Sequence, residues 1–298
     1  MTLIQRRLLR WYRSHGRFAL PWRTLRDPYR TVVSELMLAQ TQVDRVVPSF
    51  EAFVARFPDF HALGRASPAD VLREWKGLGY NSRAVRLHRL AKVVVERHRG
   101  ALPSERDELR SLPGIGPYTA AAIRAFAFDI DDAPIDTNVR RIVHRLFFAL
   151  EYPRAAAPHE LEARARALVP PGRAHDWNSA LMDLGATICT ARAPKCLLCP
   201  LRAQCAAAPI DAAKLERLRA AVKRRTPQES IPFERTPRHA RGRIVDRLRE
   251  LPPGERISLI ELHHAISGRS VEEVREFVAA LARDGLVTHD GTGVALRE

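Results

Sequence analysis

All four cysteines of this chain fall within seventeen positions: Cys189, Cys196, Cys199 and Cys205, in the spacing C-x6-C-x2-C-x5-C. No other feature restricts the possible folds as tightly. Four thiols so close along the backbone, with none elsewhere, indicate one shared metal site rather than disulfides in a chain of cytosolic character. Zinc sites of this kind usually show two Cys-x2-Cys knuckles, and this run holds one. A 4Fe–4S cluster on four thiolates suits it better. Such a cluster either changes redox state or staples the chain. Arg192, Lys195 and Arg202 surround the cysteines as a basic loop suited to phosphate contact, which favours the staple.

A second constraint lies upstream, between Leu109 and Asn138. Leu112-Pro113-Gly114-Ile115-Gly116 reads as a hairpin between two helices, the second rich in small residues and starting near Tyr118. Two glycines flanking one apolar residue permit a tight turn and leave amide N–H groups uncovered. Those amides precede a helix N-terminus, where orphan donors and the dipole favour an anion. The formal net charge is +15, so the obvious anion is a DNA phosphate. Pro-Gly before a helix is also an ordinary connection, and the hairpin alone leaves both readings open. Downstream, Asp136 stands at the mouth of a further helix.

The 298 residues suffice for one large domain or two to three smaller ones. No apolar run is long enough to span a bilayer, and no signal-peptide pattern opens the chain. The arginine-rich start reads as a docked first helix running into the Leu20-Pro21-Trp22-Arg23 turn. The expectation is a cytoplasmic, nucleoid-associated monomer without a membrane partner. Val32, Val33, Leu36 and Met37, then Val43, Val46 and Val47, repeat at helical spacing, giving two helices around Gln40-Thr41-Gln42. Glu35 sits among these apolar neighbours, where desolvation raises a carboxyl pKa. A solvent-facing glutamate is the commoner arrangement. Helices are also expected over Pro68–Trp75 and, after the turn Gly77-Leu78-Gly79-Tyr80, over Arg83–His98. No stretch before residue 285 alternates like a strand, so this portion is all-α.

LPGIGPYTAAAI with Asp136 downstream, followed by the cysteine run, resembles the helix–hairpin–helix DNA glycosylases that carry an iron–sulfur cluster. Within that superfamily LPWR, DPYRTVVSELMLAQTQV, GLGYNSRAVRLH and WNSALMDLGATICT are similar to the adenine DNA glycosylases, the MutY family. The resemblance covers roughly residues 5 to 206. It implies a cluster domain over 1–22 and 133–208 and a six-helix barrel with the hairpin over 23–132, the target nucleotide being flipped between them. The implied partner is double-stranded DNA containing a mispaired or damaged base.

The chemistry of the residues agrees. Cleaving an N-glycosidic bond needs a proton for the leaving base and negative charge near the developing oxocarbenium ion. By resemblance, Glu35 protonates adenine at N7 and Asp136 stays ionised and stabilises the sugar cation, with or without a covalent adduct, which is the two-carboxylate logic of glycoside cleavage. Asp136 can cap its helix at the same time, and Asn138 orients it. Tyr118 stands where bifunctional relatives carry a nucleophilic lysine, so strand cleavage is not expected. Leu20, Trp22, Arg23, Asn178 and Ser179 are the expected base pocket. Gln40, Thr41, Asn81, Gly114, Ile115, Gly116, Arg192 and Lys195 are expected to meet DNA. Three departures stand out: Ala39 replaces a first glutamine before Gln40, Asn81 replaces a second tyrosine, and Ser179 replaces a longer polar side chain.

Beyond Cys205, residues 209–238 read as a charged, proline-punctuated linker. Arg241–Leu251, Leu259–Ile266 and Ser270–Asp284 then read as short helices, and a hairpin around Asp290-Gly291 ends the chain. Residues 239–298 therefore resemble a winged helix, too small for the Nudix-like domain of typical family members. The favoured function is excision of adenine opposite guanine or 8-oxoguanine. A mismatch uracil or thymine glycosylase is the alternative within the class. A non-catalytic iron–sulfur, winged-helix DNA-binding protein is the alternative outside it.

Overall fold

The computed structural model describes residues 1–151, 156–225, 231–266 and 268–298. Among them the helices are α1 (Leu3–His15), α2 (Pro28–Leu38), α3 (Val43–Arg56), α4 (Phe60–Arg65) and α5 (Pro68–Glu74). Next come α6 (Ser82–His98), α7 (Arg106–Ser111), α8 (Pro117–Ala127), α9 (Thr137–Phe147) and α10 (Pro158–Ala167). They continue with α11 (Ala174–Thr187), α12 (Ala212–Arg225), α13 (Pro237–Arg249), α14 (Leu259–Ala265) and α15 (Val271–Arg283). Strands β1 (Val287–Asp290) and β2 (Gly293–Leu296) form an antiparallel hairpin, Val287 opposite Leu296. The architecture is helical, as expected. α12 lies within the expected linker, where alanine, leucine and long basic side chains favour helix. Residues 226–230 of that linker lie outside the described residues.

The chain divides into two units. One comprises residues 1–31, 104–110 and 115–228. Its core is made by α1, α9, α10 and α11. Leu8, Leu9 and Tyr12 of α1 meet Val139, Ile142, Val143 and Leu146 of α9 and Trp177, Leu181 and Leu184 of α11. Spacings of three and four place these residues on one stripe of each helix. Trp177 is fully buried, and an aromatic of that size dominates the local burial energy. Cys189, Cys199 and Cys205 pack against the same core.

The other unit comprises residues 32–103, 111–114 and 229–298. α6 packs against α4 and α5, and α13 packs on α5, α14, α15 and β2. Phe50, Phe53 and Trp75 are buried in its first part and Ile244, Val245, Val274 and Val278 in its C-terminal part. Ile257 bridges to Val294, adding a third segment to the hairpin. Several helices start on side-chain caps. Asp59, Ser67, Thr236, Ser258 and Ser270 each accept from a first-turn amide, and Ser258 and Ser270 complete capping boxes with Glu261 and Glu273.

Candidate active site

α7 ends at Ser111 and α8 starts at Pro117, and the five residues between make the turn. Gly114 adopts φ +82°, a left-handed conformation that costs glycine nothing. A Cβ there would lie 3.1 Å from Cβ of Arg86. Gly116 is the N-cap of α8 with no side-chain cap, and a Cβ on it would meet open space. Pro117 occupies the first helical turn, where its missing N–H costs nothing. Gly114 is exposed and Gly116 half-buried, and no side chain caps this N-terminus. Ile115 is buried. Tyr118 is half-buried in the first turn of α8.

Asp136 is the N-cap of α9. Its Oδ1 accepts from the Val139 amide at 2.7 Å, and its Oδ2 accepts from Asn138 Nδ2 at 2.8 Å. Two donors on two oxygens fix the carboxylate's rotamer. Arg141, one turn further, donates from Nη2 to Asn138 Oδ1 at 2.8 Å and to Gly185 O at 2.9 Å, and from Nε to Cys189 O at 2.8 Å. A hydrogen-bonded line thus runs from Asp136 through Asn138 and Arg141 to the backbone of the first cysteine. Gly185 is needed here, because a Cβ on it would lie 2.7 Å from Cβ of Asn138. Sequence reasoning missed Arg141. Its one signal was its place one turn after Asn138, which sets two side chains on one face.

The cysteine loop is anchored the same way. Arg145 is buried and donates to Thr190 O at 2.8 Å, approaches Cys189 Sγ at 3.6 Å and pairs with Glu151 at 2.6 Å. Cys205 Sγ donates to Arg145 O at 3.2 Å. Burial pushes the Cys199 thiol up to about 11, with the neighbouring Cys189, Cys205 and Cys196 adding to the rise. Cys205 is raised by burial too. Thiols raised in this way, as Cys199 and Cys205 are, give up their protons to a strong cationic partner, which is what a bound metal cluster supplies. Among the described residues no three His, Cys, Asp or Glu side chains converge closely enough to hold a single metal ion. Arg192 and Lys195 are exposed on this loop.

The other expected pocket residues fall into a polar knot. Arg23 and Arg17 both bind Asp183 at 2.6 Å, and the Asp183 side chain is fully buried. Burial alone would raise the Asp183 carboxyl. The hydrogen bonds and charge of Arg23, with Arg17 behind it, outweigh this and hold it below the usual carboxylate range. Asn178 is buried and donates to Asp132 O at 2.9 Å and Ala174 O at 2.8 Å. Ser179 is buried beside it on α11, and Leu20 and Trp22 are half-buried.

In the second unit Glu35 is half-buried on α2, flanked by buried Ser34 and Leu36. α2 ends in a turn at Gln40, which is exposed and holds φ +65°. Arg83, buried on α6, maintains that turn. Its guanidinium donates to Leu36 O, Met37 O and Ala39 O at 2.6–2.9 Å, to Thr41 Oγ1 at 3.1 Å, and to Leu78 O and Gly79 O at 3.0 and 3.1 Å. The same side chain lies over the rings of Trp75 and Tyr80. Burial pushes its pKa down to about 10. One arginine thus brings Gln40 and Thr41 to the Gly77–Asn81 turn. The side-chain oxygen of Asn81 accepts from Arg249 Nη2 at 2.8 Å. Neither arginine was singled out from sequence, because Arg249 lies 168 positions from Asn81 and Arg83 reads as one more surface charge.

A glycine hairpin opening a helix, a capping carboxylate after it and a cysteine loop tied to that carboxylate define a helix–hairpin–helix repair protein. Residues 33–171 match the HhH-GPD superfamily of base excision DNA repair proteins. An adenine DNA glycosylase of Mycolicibacterium smegmatis is 44% identical over 203 residues, covering 67% of this chain and 68% of that protein. An adenine DNA glycosylase of Mycobacterium tuberculosis is 38% identical over 291 residues, covering 96% of this chain and 90% of that one. The chain belongs to the HhH-GPD superfamily and, within it, to the adenine DNA glycosylase family. Among solved structures, a thermostable thymine-DNA glycosylase matches with a TM-score of 0.63 at 32% identity, over 68% of this chain and 94% of the other. An endonuclease III–DNA complex shares the fold, with a TM-score of 0.59 at 22% identity over 72% of this chain and 95% of the other. No helix among the described residues is long and apolar enough to cross a membrane.

Proposed function

We propose that this chain binds duplex DNA and hydrolyses the N-glycosidic bond of adenine mispaired with guanine or 8-oxoguanine, leaving an abasic site uncut. The observation that carries the reading is the fixed Asp136 carboxylate, held by Val139 N and Asn138 at a helix mouth. A preorganised negative group beside a developing sugar cation needs no reorganisation as charge forms, the condition under which electrostatic stabilisation is largest. Glu35 delivers the proton that makes the departing base a neutral leaving group. Tyr118 offers no amine for a Schiff base, so base removal is not followed by strand cleavage. The relatives at 38% and 44% identity, named as adenine DNA glycosylases, support adenine as the substrate.

Cys189, Cys196, Cys199 and Cys205 are proposed to hold a 4Fe–4S cluster. Bound there, the cluster supplies four metal–thiolate bonds that staple the loop. The chain's own residues do the rest: Arg145 and Arg141 hold the loop against α9, and Arg192 and Lys195 present charge to DNA phosphate.

The solved thymine-DNA glycosylase at 32% identity supports a second reading, in which thymine or uracil opposite guanine is removed. A single-turnover panel decides between them, with adenine, thymine and uracil each placed opposite guanine and 8-oxoguanine. Excision of adenine is expected. Excision of thymine or uracil alone would select the second reading.

A further inference from the structure

The C-terminal helices and hairpin have the order of a winged helix, whose α15 would conventionally enter a DNA groove. The charges on α15 argue against that. Glu272, Glu273 and Glu276 lie in its first half, with Glu272 and Glu276 exposed, and a phosphate backbone would be repelled there. On the hairpin, Asp290 pairs with Arg256.

α13 is built differently. It carries Arg238, Arg241, Arg243, Arg247 and Arg249, and it borders a cleft of about 790 Å³ whose opposite wall includes Gln40, Thr41 and Tyr80. Arg249 docks the helix: its side chain is 4% exposed, and it donates to Leu72 O and Asn81 Oδ1, both at 2.8 Å, and to Asp246 at 2.5 Å. This pairing uses the acidic group of the cleft wall, and Arg241 pairs with Asp284 at one side. Arg247 pairs with Glu250 at 3.3 Å, whereas Arg238 and Arg243 are held by neutral groups. Arg238 is held between the rings of Tyr80 and Phe233, 4.8 Å from each centroid, and donates to the Tyr80 hydroxyl. Arg243 donates to Ala265 O at 3.2 Å and Arg45 to Gly77 O at 2.6 Å. A phenol and two carbonyls fix these guanidinium groups without cancelling them.

From this arrangement we infer that α13, rather than α15, is the DNA-contacting element of the C-terminal segment, and that Arg238 and Arg243 bind backbone phosphates of a duplex strand running along the Gln40–Thr41 turn. The inference rests on the reading of the chain as a duplex-binding glycosylase. Guanidinium groups suit the role because their fork matches phosphate oxygens. The contact carries no sequence information and instead adds affinity and register.

The test is equilibrium binding of the full-length protein to a short duplex without a mismatch, over about 50 to 200 mM salt. Arg238→Ala with Arg243→Ala should reduce the slope of log affinity against log salt by about 2 and weaken binding near 0.1 M salt by one to two decades. The paired lysine variants should recover most of the slope, which a merely structural loss would not. Arg275→Ala with Arg283→Ala, on α15, should leave the slope unchanged, and unfolding midpoints would verify that each variant is folded. An unchanged slope in the α13 alanine pair, or a reduced one only in the α15 pair, overturns the inference. Because the readout is binding to undamaged DNA, it stands or falls separately from which base is excised.

Discussion

Asn138 holds Asp136 by a 2.8 Å hydrogen bond and is held in turn by Arg141, which also grips the carbonyl of Cys189. The carboxylate proposed for catalysis is therefore oriented by the loop proposed to carry the cluster. Asn138→Ala and Arg141→Ala should each slow adenine excision by about ten- to a hundredfold. A hydrogen bond to a charged group is worth roughly 1.5–3 kcal/mol, and one decade of rate is about 1.4 kcal/mol. Single-turnover rates measure this. Wild-type rates in both variants would show that Asp136 keeps its place without them.

The Asp183 knot makes a stability prediction. Its carboxyl is held low in the folded state, so its contribution is present above the unfolded value of about 3.9 and is lost as pH falls through the folded value. Asp183→Asn should cost about 3 kcal/mol at neutral pH, since it leaves the arginines of a buried pair without a counter-charge. The gap to wild type should narrow as the solution is acidified below about pH 4. Denaturant unfolding at several pH values tests the sign, and a gap that widens in acid would contradict it.

Much of this was readable locally. Apolar spacing marked the helices on either side of Gln40, and the turn around Asp290-Gly291 marked the hairpin formed by Val287–Asp290 and Gly293–Leu296. Asp136 read as a helix cap because carboxylates accept from first-turn amides. What the sequence hid is long-range and polar. Arg83, Arg141, Arg145 and Arg249 look like any of the 49 lysines and arginines in so basic a chain. Each is instead buried or half-buried and engaged with backbone carbonyls, a state that no periodicity signals. The helix Ala212–Arg225 was hidden for another reason: its charge suggested a solvated linker, yet Leu215 is fully buried.

The cluster proposal predicts a brown protein with broad absorbance near about 400 nm, as expected of thiolate-bound iron and sulfide. Cys199→Ser should lower soluble yield and bleach that band. A colourless protein with one zinc per chain would contradict it.

Opposite-base preference should be weak. Asn81 is engaged by Arg249 and offers no ring to stack on a base. Aromatic stacking is worth on the order of 1–3 kcal/mol, so its absence weakens discrimination by one to two decades. Adenine opposite guanine should therefore be excised within about tenfold of the rate opposite 8-oxoguanine, a difference of roughly 1.4 kcal/mol. A thousandfold preference for 8-oxoguanine that vanishes on removal of residues 239–298 would assign lesion reading to the C-terminal segment instead.

The central claim is that Glu35 and Asp136 together release adenine. Free adenine liberated in a single turnover from a duplex with adenine opposite 8-oxoguanine, quantified by mass spectrometry, tests it most directly. Wild type should release one adenine per active enzyme and leave an abasic strand that breaks only after alkali. Glu35→Gln should release none while still binding the duplex, and Asp136→Asn should fall by several orders of magnitude, as removal of a counter-charge from a developing cation requires. Near-wild-type release of adenine by either variant would contradict the account.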